Sequence, residues 1–144
     1  MADVPRPALV LGWAGGVPFV LAAFVAAVAE GEVALWARTV LATYGACILS
    51  FLGGVHWGLA IAPLAPDPRW NRLGLAVLPA LIAWGALTLL PTRGGLVVMA
   101  ASFALLLAHD QLATRIGQLP AWYLKLRRPL TLVAVASLGL GAVF

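Results

Sequence analysis

The sequence predicts an all-helical integral membrane protein with a single domain and five transmembrane helices. Only 10% of the 144 residues are charged, whereas about a quarter are charged in soluble domains. The mean hydropathy is +1.02, so the chain has too few charges to cover a globular surface in water. Five apolar segments also reach, or nearly reach, the about 20 residues that a helix needs to cross a bilayer.

The predicted transmembrane helices cover residues 8–29, 38–62, 73–90, 94–109 and 129–144. The first follows Arg6 as a signal peptide would, but its apolar run is longer than the about 7–15 residues of a signal h-region, so we expect it to stay uncleaved. The second lies in the long apolar stretch 33–63 and is expected to begin with an interfacial turn near Trp36 and Arg38, or to bend at the Gly53–Gly54 pair.

The third helix is predicted to end before Pro91, and the last two are predicted to be short for a bilayer. Residues 113–127 mix apolar, aromatic and basic side chains, which favours a short amphipathic segment on the membrane surface. Its aromatic and basic residues suit the headgroup zone and anionic lipid headgroups; they are Trp122, Tyr123, Lys125, Arg127 and Arg128. The alternative is that this segment forms a lid or docking surface over a cavity that faces the cytoplasm.

Basic residues predict the orientation. With five helices, one side of the membrane receives seven of them, namely Arg6, Arg69, Arg72, Arg115, Lys125, Arg127 and Arg128. The other side receives two, Arg38 and Arg93. The positive-inside rule therefore places the N-terminus in the cytoplasm, or in the matrix of an organelle, and the C-terminus outside.

Several function classes have little support. The single cysteine, Cys47, excludes an intramolecular disulfide, and one cysteine with two histidines cannot form a standard structural zinc site. We interpret the net charge of +4 as membrane topology and expect no nucleic-acid partner. Since no G-x-S-x-G, H-E-x-x-H or phosphate-binding glycine loop occurs, a non-enzymatic role is favoured, although enzymatic activity stays open.

Small residues and prolines predict how the helices pack. The pairs Gly12–Gly16 and Gly54–Gly58 each form a GxxxG pattern, which favours close helix crossing. We expect them to bring the first two helices together or to mediate a homo-oligomer or a contact with a membrane partner. Pro18 and Pro79 are expected to kink their helices.

Ionisable residues at membrane depth are candidates for function because burying them in lipid is unfavourable. They are His56, within the stretch FLGGVHWG, and the adjacent pair His109 and Asp110. Four interpretations stay open. In the first, His56 locks helices together through a hydrogen bond. In the second, His56 lines a cavity, with His109 or Asp110, for a quinone-like or lipid-like ligand. In the third, His56 and His109 ligate a b-type haem, and in the fourth, His56 and Asp110 relay protons in a small transporter or channel.

The motifs GWAGGVPFVLAA, YGACILSFLGGVHWGLA, LPALIAWGALTL, HDQLA and LPAWYLKLRRPLT resemble those of the uncharacterised small multi-spanning family that includes mitochondrial transmembrane protein 69. The resemblance covers nearly the whole chain. It implies five helices and an inner-membrane location, either bacterial or mitochondrial, and it implies no activity or catalytic residue.

The residues therefore predict a non-enzymatic inner-membrane protein that binds an amphipathic ligand or a membrane partner at a site around His56. Its candidate residues are His56, Trp57, Gly53, His109, Asp110, Trp122, Tyr123 and Arg127. A proton-coupled transporter or channel is the alternative, and a haem or quinone redox protein is the third hypothesis.

Overall fold

The computed structural model describes residues 3–62 and 70–144, and these residues fold into five α-helices with no strand among them. The helices are α1 (Arg6–Val28), α2 (Gly31–Ile61), α3 (Trp70–Leu89), α4 (Thr92–Arg115) and α5 (Ala121–Val143). All five helices contain a segment that is long and apolar enough to cross a membrane. The prediction of an all-helical membrane protein with five transmembrane helices is confirmed.

Prolines set several helix boundaries. The helices α1, α4 and α5 begin directly after Pro5, Pro91 and Pro120, respectively. Proline lacks the N–H that would continue a preceding helix, and it disfavours helical geometry in the residue before it. Pro18 and Pro79 lie instead inside α1 and α3, which continue through them.

The sequence predicts that α2 begins with an interfacial turn near Trp36 and Arg38 or bends at the Gly53–Gly54 pair; in the structure, both stretches are α-helical. Helix α2 runs without a break for 31 residues, a length of about 46 Å at 1.5 Å per residue, whereas the hydrocarbon core is about 30 Å thick. The helix must therefore tilt or project from the membrane. Gly53 lies within this continuous helix, and its missing side chain lets the α3 backbone pack directly against α2 at this position.

The segment 113–127 also differs from the predicted interfacial helix. Helix α4 continues to Arg115 and ends in a Schellman motif, in which Gln118 N–H donates to the Ala113 carbonyl at 2.9 Å and Gly117 N–H to the Thr114 carbonyl at 3.1 Å. Gly117 has a φ of 77°, the left-handed geometry that this motif requires. The segment is thus the end of α4, a turn and the start of α5, and α4 and α5 are not short.

Successive helices alternate in direction, and α2 contacts all four others. The end of α2 lies against the start of α3, where Gly53 meets Ala76, and the end of α3 lies against the start of α4, where Ala86 meets Gly95. We call the end of the bundle that holds the end of α2 and the starts of α3 and α5 the site end, and the opposite end the far end. Among the largest core side chains are Leu41, Leu49, Leu96, Met99, Phe103 and Leu138.

The outer faces of the helices are apolar, so this surface contacts the lipid bilayer rather than water. Leu11, Leu105 and Leu132 are each at least 70% exposed.

Within the described residues, the site end holds Arg6, Arg72, Arg115, Lys125, Arg127 and Arg128, and the far end holds Arg38 and Arg93. Arg69 and Pro63 lie outside the described residues. At the far end, the side chains of Arg38 and Arg93 both donate to the Phe144 carbonyl oxygen.

The two GxxxG patterns behave differently. A Cβ added at Gly12 would approach the side chain of Leu130 at 3.1 Å, and one added at Gly16 would also meet Leu130. The first pattern thus packs against α5 rather than against α2. Among the described residues, no atom beyond the local backbone of α2 lies within 4 Å of a Cβ added at Gly54 or Gly58, and both glycines are exposed.

Candidate functional site

Asp110 is the centre of a buried polar cluster at the site end. Its side chain is 1% exposed. His56 Nε2 donates to Asp110 Oδ1 at 2.7 Å, and Arg127 Nε donates to Asp110 Oδ2 at 2.8 Å. These bonds connect α2, α4 and α5 through one carboxylate. Since breaking such a buried pair leaves an uncompensated charge, the cluster fixes how the three helices meet.

Arg127 has hydrogen-bonding capacity that its neighbours do not use. Its Nη1 donates to Thr131 Oγ1 at 2.9 Å, one turn further along α5. Its Nη2 is buried and has no acceptor among the described residues. A buried donor without an acceptor is unfavourable by about 1–3 kcal/mol, and more if it is charged. The guanidinium therefore keeps one donor that no described acceptor satisfies. Arg127 also faces the interior of the bundle, rather than the lipid headgroups as the sequence had suggested.

His109 lies beside His56, so the two histidines are close in space. Their ring centroids are 4.6 Å apart, with an angle of 73° between the ring planes. His109 Nδ1 is buried and has no hydrogen-bond partner among the described residues. His56, His109, Asp110 and Arg127 thus form one cluster, which we call the polar cluster.

This geometry does not fit a haem held between the two histidines. Axial ligands must stand on opposite faces of the porphyrin, but the two rings are in direct edge contact, which leaves no room for a macrocycle between them. His56 Nε2 is also already bonded to Asp110. The two histidines of the described bundle therefore do not fit a haem held between them.

A metal ion is also poorly matched to the polar cluster. His56, His109 and Asp110 offer ligand atoms within 4.8 Å of one another, and imidazole with carboxylate is a common donor set. However, both Asp110 oxygens already accept hydrogen bonds, one of them from the Arg127 guanidinium. A metal cation bound here would lie beside that positive charge, where repulsion is strong because little water screens it.

A cavity of about 320 Å³ opens beside the polar cluster, between α1, α2 and α5, with Phe103 of α4 also on its wall. We call it the lateral cavity. Among its described lining residues, Arg127 is the one with a charge and Tyr123 the one with a hydroxyl. The other lining residues are apolar or glycine; they are Ala8, Leu11, Gly12, Gly15, Gly16, Phe19, Ile48, Phe51, Leu52, Val55, Phe103, Trp122, Leu126, Leu130 and Ala134. Its volume is at the lower end of the about 300–1,000 Å³ typical of small-molecule sites.

Three glycines of α1, at positions 12, 15 and 16, form part of the cavity wall. Because they carry no side chains, space remains between α1 and the facing helices. The wall is held in place by Tyr44 of α2, whose hydroxyl donates to the Gly15 carbonyl at 2.8 Å and whose ring packs against Phe19. Leu11 and Phe51 also line the cavity and are largely exposed, so the cavity is accessible from the lipid-facing surface.

The predicted site residues fall into three places. His56, His109, Asp110 and Arg127 form the polar cluster, while Trp122, Tyr123 and Arg127 line the lateral cavity. Trp122 and Tyr123 are also in ring contact, with centroids 6.1 Å apart. Gly53 lies against the backbone of α3, and Trp57 is exposed, so these two belong to neither the cluster nor the cavity wall.

Sequence reasoning missed Thr131 and the α1 wall. Thr131 follows Arg127 by four residues, which puts both on one face of a helix, so this spacing was a usable signal. The glycines of GWAGG were assigned to helix packing alone, and nothing in the sequence identifies the helix that they face.

Comparisons with known proteins agree with the resemblance seen in the sequence. A family model described as "Protein of unknown function (DUF3429)" matches residues 4–143. A protein of Xenopus tropicalis named transmembrane protein 69 is 43% identical over 145 residues, which cover 96% of this chain and 54% of that protein. Transmembrane protein 69 of Mus musculus is 30% identical over 138 residues, covering 95% of this chain and 56% of that protein. The chain thus spans about half the length of these relatives. No solved structure matches it significantly.

Proposed function

The chain belongs to the DUF3429 family, whose members are described as proteins of unknown function, and from its cavity we propose that it is a non-enzymatic membrane protein that binds an amphipathic, lipid-like molecule. The lateral cavity holds the apolar part of this molecule, and its polar part lies at Arg127 and Tyr123. The observation that carries the proposal is that Arg127 both lines an otherwise apolar cavity and keeps a buried Nη2 without an acceptor.

Both properties suit an amphiphile. Apolar pockets with a few convergent polar groups are the usual form of small-molecule sites, the polar groups fixing orientation. The lateral position of the cavity supports entry from the bilayer, since exposed Leu11 and Phe51 form part of its lining. His56, Asp110 and Thr131 position Arg127 by binding it directly or through the shared carboxylate, and His109 packs against His56.

A proton-coupled transporter is less well supported. Such a protein needs ionisable groups spaced across the membrane, but the polar cluster lies at the site end, while Arg38 and Arg93 lie at the far end with Phe144. Between the two ends, a buried hydrophobic cluster runs from Leu41 through Leu49 to Leu52, and the buried polar residue described there, Ser137, carries a hydroxyl that does not titrate at neutral pH.

Filling the cavity tests the proposal. We expect Gly15→Leu to abolish retention of a lipid-like molecule, because an added Cβ is tolerated there, with its nearest neighbour Tyr44 Oη at 3.8 Å, while the longer side chain occupies cavity space. The measurement is mass spectrometry of the amphiphiles that remain on protein purified from native membranes through detergent exchange. Gly54→Leu is the matched control, since Gly54 is exposed and its added Cβ meets no side chain among the described residues within 4 Å, and it should retain the same molecule as the wild-type protein. Equal retention by folded Gly15→Leu protein would contradict the proposal.

We also propose that the protein lies in an inner membrane with its site end on the cytoplasmic side, or on the matrix side in mitochondria. The described basic residues are concentrated at this end, which supports that orientation. In a Cys47→Ser background, we expect Gln118→Cys to be labelled by a membrane-impermeant maleimide only after the cytoplasmic side is opened. Glu30→Cys, which is exposed near the opposite end, should be labelled in intact cells. The reverse pattern, or labelling of both positions in intact cells, would overturn this orientation.

A further inference from the structure

We infer that the amphiphile in the lateral cavity has a single apolar chain and an anionic oxygen headgroup, a carboxylate or a phosphate, which pairs with Arg127. This inference rests on the function proposed above and adds the chemical class of the ligand.

The donor that Arg127 keeps unused favours an anionic acceptor. Asp110 is the carboxylate that contacts this guanidinium, and it is shared with His56. Two of the three guanidinium nitrogens are bonded within the chain, to Asp110 and Thr131, which leaves Nη2 with hydrogens to donate. Carboxylate and phosphate oxygens are the strongest acceptors for a guanidinium, because the hydrogen bond is charge-assisted. A neutral carbonyl or hydroxyl would also accept a hydrogen bond from Nη2, but without the added strength that a charged acceptor gives.

The burial of Arg127 strengthens the preference. Its side chain is 7% exposed, so water competes weakly for Nη2, and a hydrogen bond from Nη2 to an anionic oxygen is worth more than at a surface. Asp110 already balances the charge of the guanidinium, so this hydrogen bond, rather than net charge, carries the preference. Tyr123 lies one helical turn before Arg127 and lines the same cavity, so its hydroxyl supplies a second donor near the headgroup.

The cavity supports a single chain. Its volume of about 320 Å³ is near the minimum for small-molecule sites, which leaves little room for a second chain. Its remaining wall is apolar or glycine, as the chain of a fatty acid or a lysophospholipid requires.

The test compares ligands that differ only in the headgroup. Radiolabelled oleate, monooleoyl lysophosphatidate and oleyl alcohol are titrated into the full chain in nanodiscs of neutral lipid, with acetate as a competitor. We expect oleate or lysophosphatidate to bind at least about tenfold more tightly than oleyl alcohol, a ratio equivalent to about 1.4 kcal/mol, and the tighter of the two identifies the headgroup. Acetate should not displace either, because it lacks the apolar chain.

Variants then assign the preference to Arg127. The double variant Asp110→Asn/Arg127→Gln removes both charges without leaving one unpaired, and it should bind oleate and oleyl alcohol equally. Tyr123→Phe should lower oleate affinity by a few-fold. Arg128→Gln changes an exposed neighbour and should preserve the preference.

The outcomes separate the inference from the proposed function. If wild-type protein binds oleyl alcohol as tightly as oleate and lysophosphatidate, the anionic headgroup is excluded while a lipid-like ligand stands. If acetate displaces oleate, the apolar chain does not contribute to binding, and the lipid-like ligand itself is overturned. If none of the three ligands binds and no amphiphile is retained from native membranes, both fail. If the double variant keeps the full preference for the anion, Arg127 is not its receptor.

Discussion

Asp110→Asn is expected to lower the free energy of unfolding by about 3 kcal/mol, the lower end of the loss that follows when one partner is removed from a buried ion pair. Asparagine has nearly the shape of aspartate, so packing changes little. It has no charge, however, and Arg127 would remain buried without its counter-ion. The bond from His56 would also weaken, and α2, α4 and α5 would lose their common contact. Unfolding in detergent, followed by a cysteine-independent probe such as tryptophan fluorescence, measures the loss.

Two further variants make this result specific. Glu32→Gln neutralises an exposed carboxylate and should leave the unfolding free energy within about 0.5 kcal/mol of the wild-type value. Adding Arg127→Met to Asp110→Asn should restore part of the stability, since the orphaned charge is removed. A double variant that is less stable than Asp110→Asn alone would show that the charge pairing is not what stabilises the site end.

Gly53→Ala is expected to destabilise the protein by about 1–3 kcal/mol through overpacking, while Gly54→Ala should be neutral or slightly stabilising. A Cβ on Gly53 would lie well inside van der Waals distance of the Ala76 carbonyl oxygen. This neighbour is backbone within a helix, so it cannot rotate away, and α2 and α3 would have to separate. Gly54 faces open space, where alanine is the better helix former by about 1 kcal/mol.

The adjacent glycines form a matched pair, since they share the same helix, the same substitution and nearly the same membrane depth. Thermal unfolding of both variants in one detergent measures the difference. Equal stabilities would mean that α2 and α3 do not approach as closely as the structure has them. Gly95→Ala provides an independent check, because its Cβ would lie 2.7 Å from the Ala86 carbonyl oxygen of α3.

Much of the fold could be predicted from the sequence because a bilayer imposes length and polarity on every crossing segment. The apolar runs specify five helices, and Pro91 marks the boundary between the third and the fourth. The sequence predicts the fifth from residue 129, whereas α5 begins directly after Pro120. The rarity of ionisable residues at membrane depth identified His56, His109 and Asp110 as candidates, and the structure brings these three together.

The partners of these residues could not be predicted in the same way. Helical periodicity states which side chains share a face of one helix, but not which helix lies opposite. Arg127 therefore looked like a lipid-facing cation, although it pairs with Asp110 in the neighbouring helix. The two GxxxG patterns likewise look alike in sequence, yet Gly12 packs against α5, whereas Gly54 contacts none of the five described helices within 4 Å of an added Cβ.

The bond between Asp110 and Arg127 has a consequence for how the chain enters the membrane during synthesis. Each residue alone is unfavourable at the centre of an inserting helix by about 2.5–3.5 kcal/mol. They lie 17 residues apart, on the two arms of the helical hairpin made by α4 and α5. A hairpin that leaves the translocon as one unit carries both charges already neutralised, whereas two helices released one after the other would each carry an unpaired charge into lipid. His56, made much earlier on α2, joins the pair only when this hairpin docks.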